Sequence, residues 1–400
     1  MLNEPQYSYI QGRAGTGKSY KLKQIYDRYP GSTALCATTG IAAVNLGAGT
    51  TINSLLWYYN TESLLDTWTS GKLLWRLEEI YNKMGIRRIL LDEVSMLPAS
   101  NLSVLCLAID KLNEHLHNRG KPLLQFILAG DFAQLPPVSG DFAFESEHWE
   151  KFLYNTTILR EVYRQEDAEF IQALQWVREG KGKQAAEYFE ESLHKLGEPD
   201  YEGTTLYPYN SAVTRQNAYR LEKIKGEPLS FPTTRSGKQR GEWKKYIPDH
   251  FKAKIGALVM LLANNYSAPG QIEYCNGDLG TIESYNEKAI FIRLLRNNNL
   301  VVVENITREN EEIKDNTKKV VGSVNYMPIR LAYASTIHKG QGLTFDNIQV
   351  DIRAKFYAEC PGMLYVALSR CRTKEGLRLI GGPRTFATNC KVNPKIKEFL

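Results

Sequence analysis

The sequence predicts an α/β protein with two parallel-sheet domains and two insertions, on three observations. Short β-rich apolar runs, each followed by a loop and a helical pattern, occur near the N-terminus and again in the second half of the chain. This alternation is typical of parallel α/β sheets. Stretches of different composition interrupt each series. At 400 residues the chain also exceeds what one hydrophobic core usually supports, so two or more domains are expected.

The first series of apolar runs predicts a first domain over residues 1–158. Its strands are expected at Tyr7–Gln11, Thr33–Ala37, Arg88–Leu91 and Leu124–Ala129. An aromatic-rich stretch separates the second of these strands from the third, and it contains Trp57, Tyr58, Tyr59, Trp68 and Trp75. We therefore predict a small insertion at about residues 44–85.

The second series predicts a second α/β domain over residues 159–230 and 328–400. Its strands are expected at Thr204–Tyr207, Ile329–Ala334, Ile348–Asp351 and Leu377–Ile380, with a helical pattern at Gly362–Cys371. The chain between the two parts is rich in short strands, Gly and Asn, and includes the turn signal Asn276-Gly277-Asp278. It predicts an inserted β-domain over residues 231–327.

Composition and targeting features restrict the class of protein. An apolar fraction of 43% beside a charged fraction of 24% matches ordinary soluble proteins and excludes the disordered and membrane classes. The longest apolar stretch, Ile255 to Ala263, is shorter than the roughly 20 residues of a membrane span, and the N-terminus lacks a signal-peptide pattern. We expect no membrane association and a cytoplasmic location, associated with the nucleoid if the source is bacterial or phage.

Cysteine spacing and net charge add weaker indications. The six cysteines are widely spread, without a Cys-x-x-Cys pair, so we expect them to be reduced and not to bind zinc. The net charge of +6 is compatible with a polyanionic partner, but many proteins of this charge bind no nucleic acid.

The sharpest motif runs from Gly12 to Ser19 and reads GRAGTGKS. It fits the pattern G-x-x-x-x-G-K-[ST] between a predicted strand and a helical pattern at Tyr20–Tyr29, which is the context of a phosphate-binding loop. Glycines let the backbone N–H groups wrap phosphate oxygens. Lys18 would neutralise the β- and γ-phosphates of ATP, and Ser19 would offer a hydroxyl to Mg²⁺. The predicted nucleotide-binding residues of this loop are Gly12, Ala14, Gly15, Thr16, Gly17, Lys18 and Ser19.

Two further strand ends carry polar residues suited to the same site. Asp92 would hold the magnesium ion together with Ser19, and Glu93 would orient and deprotonate the attacking water. A later strand leads into the loop Gly130–Val138, which should face the nucleotide because ligands bind at the carboxyl ends of parallel strands. Gln134 in this loop is the candidate sensor of the γ-phosphate or the water.

With these motifs the chain resembles, over nearly its whole length, the superfamily 1B helicases of the PIF (petite integration frequency) type, relatives of RecD and Dda-like motors. The further stretches that carry the resemblance are Ala37–Ala43 (ATTGIAA), Gly49–Ser54 (GTTINS), Val162–Gln165 (VYRQ), Ala334–Thr344 (ASTIHKGQGLT) and Leu364–Arg370 (LYVALSR). The resemblance implies a P-loop NTPase with two RecA-like domains, a wedge-like insertion at 44–85 and an SH3-like module at 231–327. Packing of a small subdomain core is the alternative role for the aromatic residues of the first insertion.

The resemblance also implies roles for individual residues. Arg164 and Arg370 would be arginine fingers on the γ-phosphate, and Gln341 and Gly342 would join the nucleotide site. The implied catalytic set is Lys18, Asp92, Glu93, Gln134, Arg164 and Arg370. The residues implied to contact nucleic acid are Thr38, Gly40, Thr51, Asn53, Ser54, Asn210, Ser335, Thr336, His338 and Lys339. For each of these, a local capping or turn role stays open.

Two positions depart from the family pattern. Eleven residues precede Gly12, and Gln6 lies too near to it to be the adenine-reading glutamine that the family carries further upstream. Asn53 stands where relatives often have histidine, which would change one strand contact.

These implications together describe an ATP-dependent 5′-to-3′ DNA helicase that acts on single-stranded DNA and on forked or tailed duplexes. We expect activity as a monomer, with single-strand-binding, replication or repair proteins as candidate partners. Two alternatives stay open. One is a single-strand translocase or RNA helicase that does not unwind DNA. The other is a nucleic-acid-binding module gated by nucleotide, against which the complete set of hydrolytic residues argues.

Overall fold

The structure is a computed structural model that describes residues 5–46, 50–194, 201, 203–239, 243, 247–263, 265–268, 271–274, 277–314 and 317–399. Gly49 and Asn276, which belong to two of the sequence motifs, lie outside these residues. The chain divides into two compact units, Met1–Pro199 with Ile337–Leu400, and Asp200–Thr336. The boundaries proposed above for two RecA-like domains stay a prediction.

The first unit is built on a six-stranded sheet in which every pairing is parallel. Its strands, in spatial order, are Thr50–Thr51, Thr33–Ala37, Arg88–Asp92, Gln125–Gly130, Tyr7–Gly12 and Thr156–Leu159. The four strands predicted for this region are confirmed to within one or two residues. Register pairs Ala37 with Asp92 and Gln11 with Gly130. The carboxyl ends of these strands therefore meet at one edge of the sheet, where ligands bind in such folds.

Helices pack on this sheet through apolar faces. Leu22 of the helix Lys18–Arg28 is fully buried in a cluster with Leu35, Leu90 and Ala129 from three strands. The other helices that precede residue 199 are Gly40–Asn45, Ile52–Leu56, Thr61–Thr69, Lys72–Asn82, Ala99–His117, Glu150–Leu153, Ala168–Arg178 and Gly182–Tyr188. Short 3-10 turns lie at Pro30–Ser32, Val94–Met96, Ala143–Glu145 and Glu190–Ser192.

The stretch predicted as an aromatic-rich insertion is helical, and its aromatic residues divide between interior and surface. Tyr58 is buried, and so are Leu64, Leu73, Leu77 and Ile80 beside it. Trp57 and Trp75 are both more than half exposed, at 56% and 52%, and Tyr59 is 91% exposed. Aliphatic side chains together with Tyr58 and Tyr81 thus form the core of this stretch, so core packing does not account for Trp57 and Trp75.

The last part of the first unit contains parallel strands and short helices. Its strands are Ile348–Asp351 and Leu377–Ile380, which pair with each other, and Leu193–His194, which pairs with the second of them. Its helices are Ile337–Gly340, Phe356–Glu359, Met363–Leu368, Pro383–Asn389 and Pro394–Phe399. The helical pattern read at Gly362–Cys371 corresponds to the shorter helix Met363–Leu368.

The C-terminal helix buttresses the loop that carries Gln134. The ring of Phe399 stacks on Phe144 with centroids 4.4 Å apart, and it meets Phe132 edge-on at 5.2 Å. Lys395, one turn earlier, forms ion pairs with Asp141 and Glu145. Because Phe132 lies two residues before Gln134, this aromatic cluster fixes the start of the loop.

The second unit is mainly antiparallel. A five-stranded antiparallel sheet has the order Leu300–Glu304, Ala289–Leu294, Leu279–Tyr285, Leu258–Leu261 and Ile329–Leu331. Further antiparallel pairs are formed by the strands Leu229–Pro232, Thr234–Gly237, His250–Ala253, Asn265–Ala268, Gln271–Tyr274, Ile306–Lys314 and Thr317–Tyr326. These strands give the region the β-rich character predicted for residues 231–327, and its identity as an inserted SH3-like domain stays a prediction.

One predicted strand is wrong as drawn. The run Ile329–Ala334 is two strands: Ile329–Leu331 pairs antiparallel with Leu258–Leu261, and Ala334–Thr336 pairs parallel with Thr204–Tyr207. The helix Asn210–Glu222 follows that last strand. The break between them lacks Gly and Pro, so the continuous apolar run gave no signal of it. Among the described residues, no helix has the length and apolar character needed to cross a membrane.

Candidate active site

The loop Gly12–Ser19 wraps tightly between the first strand and the first helix. Gly15 and Gly17 have φ of 80° and 81°, a left-handed conformation that favours glycine. A Cβ atom on Gly12 would lie only 2.3 Å from Oγ1 of Thr16, and that hydroxyl in turn donates to the carbonyl of Arg13 at 2.9 Å. The loop backbone therefore depends on these three glycines, as the sequence pattern predicted.

Lys18 begins the helix and turns its side chain back over the loop. Its Nζ donates to the carbonyl oxygens of Gly12 and Arg13, each at 2.9 Å. Burial lowers the pKa of Lys18, and the charges of nearby carboxylates, Asp131 first, oppose that shift. A cation held over a loop of backbone N–H groups is the arrangement that binds the phosphates of a nucleotide.

The acidic pair lies beside this loop. The hydroxyl of Ser19 donates to Oδ2 of Asp92 at 2.5 Å, and the backbone N–H of Glu93 donates to Oδ1 of Asp92 at 2.8 Å. Both carboxylates are buried. Burial raises the pKa of Asp92, and burial together with the charge of Asp92 raises the pKa of Glu93 to about 7.

Ser19 and Asp92 fit a magnesium ion because they bring hard oxygen donors together at the edge of a phosphate loop. Glu93 has φ of 57°, unusual for a residue other than glycine and associated with functional sites. Its Oε2 atom is buried and has no hydrogen-bond partner among the described residues. A buried carboxylate oxygen without a partner is available to a ligand or to an attacking water.

The two predicted arginine fingers enter from the other side. Arg164 donates from Nε to Oγ1 of Thr344 at 2.9 Å and from Nη1 to the carbonyl of Ser369 at 3.1 Å. Arg370 donates from Nε to the carbonyl of Val366 and from Nη2 to Oγ of Ser369, each at 2.9 Å. Burial, and then the charge of Arg370, lowers the pKa of Arg164 to about 9. With a pKa of about 9, the Arg164 guanidinium remains a cation near neutral pH.

These groups surround one cavity of about 300 Å³ in the first unit. Its lining residues are Ala14, Gly15, Gly17, Lys18, Ser19, Tyr20, Glu93, Gln134, Tyr163, Arg164, Gly342 and Arg370. Five of the six predicted catalytic residues are among them, and the sixth, Asp92, is hydrogen-bonded to the lining residue Ser19. Gly12, Thr16 and Gln341 do not line it, and Gln341 is buried. The cavity thus gathers residues that lie up to 356 positions apart in the chain, from Ala14 to Arg370.

Sequence reasoning missed several polar residues around this cavity. The hydroxyl of Tyr365 accepts from the backbone N–H of Ala14 at 3.0 Å and lies 3.4 Å from Oδ2 of Asp131. Oδ1 of Asp131 accepts from Arg178 at 2.9 Å in a buried ion pair. Asp131 and Tyr365 belong to motifs that the sequence analysis quoted, but their spacing gave no sign of this contact. Gln6, set aside for adenine, donates to Asp110 at 3.3 Å.

The family model for PIF1-like helicases matches residues 1–188. The ATP-dependent DNA helicase Pif1 of Bdellovibrio bacteriovorus is 31% identical over 413 residues, and the alignment covers 100% of this chain and 90% of that protein. The chain belongs to the PIF1-like helicase family.

Two further comparisons extend this result. The PIF1 helicase of Xenopus laevis is 29% identical over 418 residues, and the alignment covers 98% of this chain but 61% of that longer protein. The crystal structure of Bacteroides Pif1 in complex with ADP-AlF3 and single-stranded DNA superposes with a TM-score of 0.63 at 26% identity, covering 100% of this chain and 94% of that chain. The α/β fold with parallel sheets is thus that of the PIF1-like helicases.

Several residues of this PIF1-like chain that are implied to contact nucleic acid also have local structural contacts in the first unit. Thr38 donates from Oγ1 to the backbone carbonyl of Glu93 at 2.9 Å. Thr51 caps the helix Ile52–Leu56 by accepting from the N–H of Ser54 at 3.1 Å. Asn53 lies within 3.5 Å of the carbonyl of Tyr59. Thr38 therefore couples a predicted strand-contact loop to the backbone of a predicted catalytic residue.

The rest of this predicted set differ in exposure. Gly40 begins a helix and has open space where a Cβ atom would lie. In the second unit Asn210 is exposed, whereas Ser335 and Thr336 are buried. His338 and Lys339 lie in the short helix Ile337–Gly340 of the first unit, and His338 is exposed. Their roles toward DNA stay predictions.

Proposed function

We propose that this protein is an ATP-dependent DNA helicase that moves 5′ to 3′ along single-stranded DNA and unwinds duplex DNA. The observation that carries the proposal is the convergence of the predicted hydrolytic residues on one cavity in a member of the PIF1-like family. The relatives compared above bear the name ATP-dependent DNA helicase. Their shared name and the complete hydrolytic set support a motor that turns ATP over.

Hydrolysis follows from the positions of the side chains. Lys18 and the N–H groups of the loop hold the phosphates, which places the γ-phosphate toward Glu93 and Gln134. Oε2 of Glu93, which has no partner among the described residues, accepts the proton of the attacking water. Arg164 and Arg370 supply positive charge where negative charge grows in the transition state.

Magnesium, when bound, would neutralise charge on the nucleotide's phosphate oxygens. Ser19 Oγ and the Asp92 carboxylate are the groups of this chain that would hold it. The Asp92 carboxylate is oriented by two hydrogen bonds, because the N–H of Glu93 and the hydroxyl of Ser19 each donate to one of its oxygens. Such orientation by hydrogen bonds is what metal-binding carboxylates usually receive from their surroundings.

The direction of movement and the path of the strand rest on the resemblance. The predicted nucleic-acid residues occur in both compact units. The Bacteroides protein compared above was crystallised with single-stranded DNA, and we extend that ligand class to this chain. We further propose that forked or tailed duplexes are substrates, that a monomer is active, and that the protein works in the cytoplasm.

Both insertions receive roles under this proposal. The exposed rings of Trp57 and Trp75 have centroids 6.1 Å apart, and the guanidinium of Arg76 lies 3.9 Å from the Trp57 ring centroid. Arg76 is itself fixed by Glu79 at 2.7 Å. A rigid aromatic surface of this kind can stack on the terminal base pair of a duplex, which supports the wedge role. The antiparallel sheet of the second unit is the proposed SH3-like module.

The test uses two partial DNA duplexes that share one sequence and differ only in carrying a 5′ or a 3′ single-stranded tail. Strand separation is measured with ATP and Mg²⁺, and hydrolysis of ATP is measured in parallel with single-stranded DNA. The Lys18→Ala variant is the control for the nucleotide site. Matching RNA duplexes and a DNA end blocked by a bound protein complete the set.

Each outcome supports one of the candidate functions. ATP-dependent separation only from the 5′ tail, absent in Lys18→Ala, supports the proposal with its direction. If DNA stimulates hydrolysis but the DNA strands do not separate, the proposed DNA helicase activity is wrong. Displacement of the bound protein then indicates a translocase, and unwinding of RNA duplexes alone indicates an RNA helicase. Nucleotide-dependent DNA affinity without hydrolysis indicates a gated binding module and overturns the proposal.

A further inference from the structure

A chain of buried hydrogen bonds connects the phosphate loop to two segments that carry predicted catalytic residues. The N–H of Ala14 donates to the hydroxyl oxygen of Tyr365 at 3.0 Å, and that hydroxyl faces Oδ2 of Asp131 at 3.4 Å. Oδ1 of Asp131 accepts hydrogen bonds from Nη2 of Arg178 at 2.9 Å and from the N–H of Ala133 at 3.2 Å. Tyr365 and Asp131 are 3% and 1% exposed, so these bonds are shielded from water.

The protonation states of Asp131 and Tyr365 allow only one direction for the hydrogen bond between these two side chains. Burial favours the neutral form of Asp131, but the charges of Arg178 and Lys18, together with the hydrogen bonds from Arg178 and from the N–H of Ala133, outweigh it and lower the pKa of Asp131, which is therefore a carboxylate. Burial and the charge of Asp131 raise the pKa of Tyr365, which therefore keeps its proton. The phenol donates to Asp131 and accepts from Ala14. A phenylalanine at this position could make neither bond.

Each end of this chain lies close in sequence to a predicted catalytic group. Tyr365 is in the helix Met363–Leu368, five residues before Arg370, and Asp131 is three residues before Gln134. The two segments also touch, because a Cβ atom on Gly362 would lie 2.7 Å from the carbonyl oxygens of both Ala133 and Gln134. The Tyr365 hydroxyl is thus the point where the phosphate loop, the Gln134 loop and the Arg370 helix are joined.

We propose that Tyr365 is a positioning residue for ATP hydrolysis: its hydroxyl holds Arg370 and Gln134 in register with the phosphate loop. It does not line the cavity, so its effect is on the geometry of the reacting groups and not on contact with the nucleotide. This inference rests on the proposed function, because it requires that the cavity hydrolyses ATP. Misplacement of catalytic groups by small distances lowers the rate of the chemical step more than it lowers binding.

The test compares Tyr365→Phe with Tyr357→Phe. Tyr357 is also fully buried in the first unit, and its hydroxyl has no hydrogen-bond partner among the described residues. The two substitutions remove the same atom from the same kind of surroundings. The measurements are kcat and KM of DNA-stimulated ATP hydrolysis, affinity for a fluorescent ADP, and the thermal unfolding midpoint. We expect Tyr365→Phe to lower kcat by about 10- to 100-fold with KM and ADP affinity changed less than about threefold. Tyr357→Phe should match the unaltered chain.

The outcomes separate this inference from the proposed function. If the unaltered chain hydrolyses no ATP, the proposed function fails and the inference fails with it. If the unaltered chain hydrolyses ATP and the two Phe variants have equal kcat, the proposed function stands and the positioning role is overturned. A fall in kcat of Tyr365→Phe that comes with an equal loss of ADP affinity also overturns it.

A second variant covers the case in which Tyr365→Phe does not fold. Asp131→Asn retains an oxygen that can accept from Arg178, but its amide nitrogen cannot accept the phenol proton. It should lower kcat with the same split from KM, and an unchanged kcat would count against the inference.

Discussion

The hydroxyl of Ser19 and the carboxylate of Asp92, 73 positions apart in the chain, are joined by a hydrogen bond of 2.5 Å. The contact arises because the phosphate loop and the strand Arg88–Asp92 end at the same edge of the parallel sheet. It brings a loop hydroxyl and a buried carboxylate within reach of one cation. For holding that cation, the negative charge of Asp92 is therefore more important than the shape of its side chain.

This contact predicts that Asp92→Asn abolishes the magnesium dependence of nucleotide affinity. The amide preserves the size of the side chain but removes the negative charge, so a divalent cation is held less tightly. We expect ATP hydrolysis to fall by about 10²- to 10³-fold. The measurement is affinity for a fluorescent ADP with and without Mg²⁺, alongside kcat. Asp27→Asn, at an exposed position of the first helix, is the matched control. An Asp92→Asn protein whose affinity still rises with Mg²⁺ would contradict the assignment.

Arg164 gives a second prediction, because its guanidinium makes two bonds at once, to Thr344 and to the carbonyl of Ser369. Lysine has the charge but not the planar fork, so Arg164→Lys cannot hold both partners in this geometry. We expect kcat to fall at least about 10²-fold with little change in KM for ATP. Steady-state kinetics of hydrolysis measure this. Arg119→Lys, an exposed position, should have no effect, and equal activities of the two variants would exclude a role in the transition state.

Much of the fold and of the phosphate site could be predicted because the signals are local. The strand ends at Gly12 and Asp92 lie within one residue of the predicted positions, and the helix that follows the loop begins at Lys18. A glycine-rich loop between a strand and a helix commonly binds phosphate. Apolar runs and glycine patterns report on neighbouring residues, and such features need no knowledge of the rest of the chain.

The contacts that could not be predicted are between segments far apart in sequence. Ala14 and Tyr365 are separated by 351 positions, and Arg178 and Asp131 by 47. Neither pair has a spacing pattern, because their meeting depends on how strands and helices pack. Exposure of tryptophan was equally beyond the sequence: Trp57 and Trp75 belong to helical segments with buried leucines, and only the packing shows that their rings face solvent.

The exposed tryptophans lead to a third prediction, which separates unwinding from hydrolysis. If Trp57 and Trp75 stack on the end of a duplex, Trp75→Ala should lower the rate of strand separation by about tenfold. Hydrolysis stimulated by single-stranded DNA should stay within about twofold, because the tryptophans do not line the nucleotide cavity. Both rates are measured on the same preparation. Tyr154→Ala, which removes a ring that is 87% exposed elsewhere in the first unit, is the control. Parallel losses of both rates would refute the wedge role.

Glu93 gives a fourth prediction, on the pH dependence of activity. Burial and the charge of Asp92 raise its pKa to about 7, and only the ionised form can accept a proton from water. The value of kcat should therefore rise with pH up to about 7 and then level off. Glu93→Gln should hydrolyse ATP at least about 10²-fold more slowly and should lose this dependence. A flat profile for the unaltered chain between about pH 6 and pH 8 would remove Glu93 from the role of base.

The same shift predicts an opposite effect on stability. Because the pKa of Glu93 is higher in the folded chain than its ordinary value, ionisation opposes folding, and stability is lost as the pH rises through about 7. Glutamine carries no charge to bury, so Glu93→Gln should unfold a few degrees higher than the unaltered chain at about pH 8. The difference should shrink toward about pH 5, where the folded chain holds the proton. Thermal unfolding at the two pH values measures it, with the exposed Glu62→Gln as control. If Glu93→Gln makes the chain more stable and also slows ATP hydrolysis, the Glu93 carboxylate is retained for hydrolysis and not for folding.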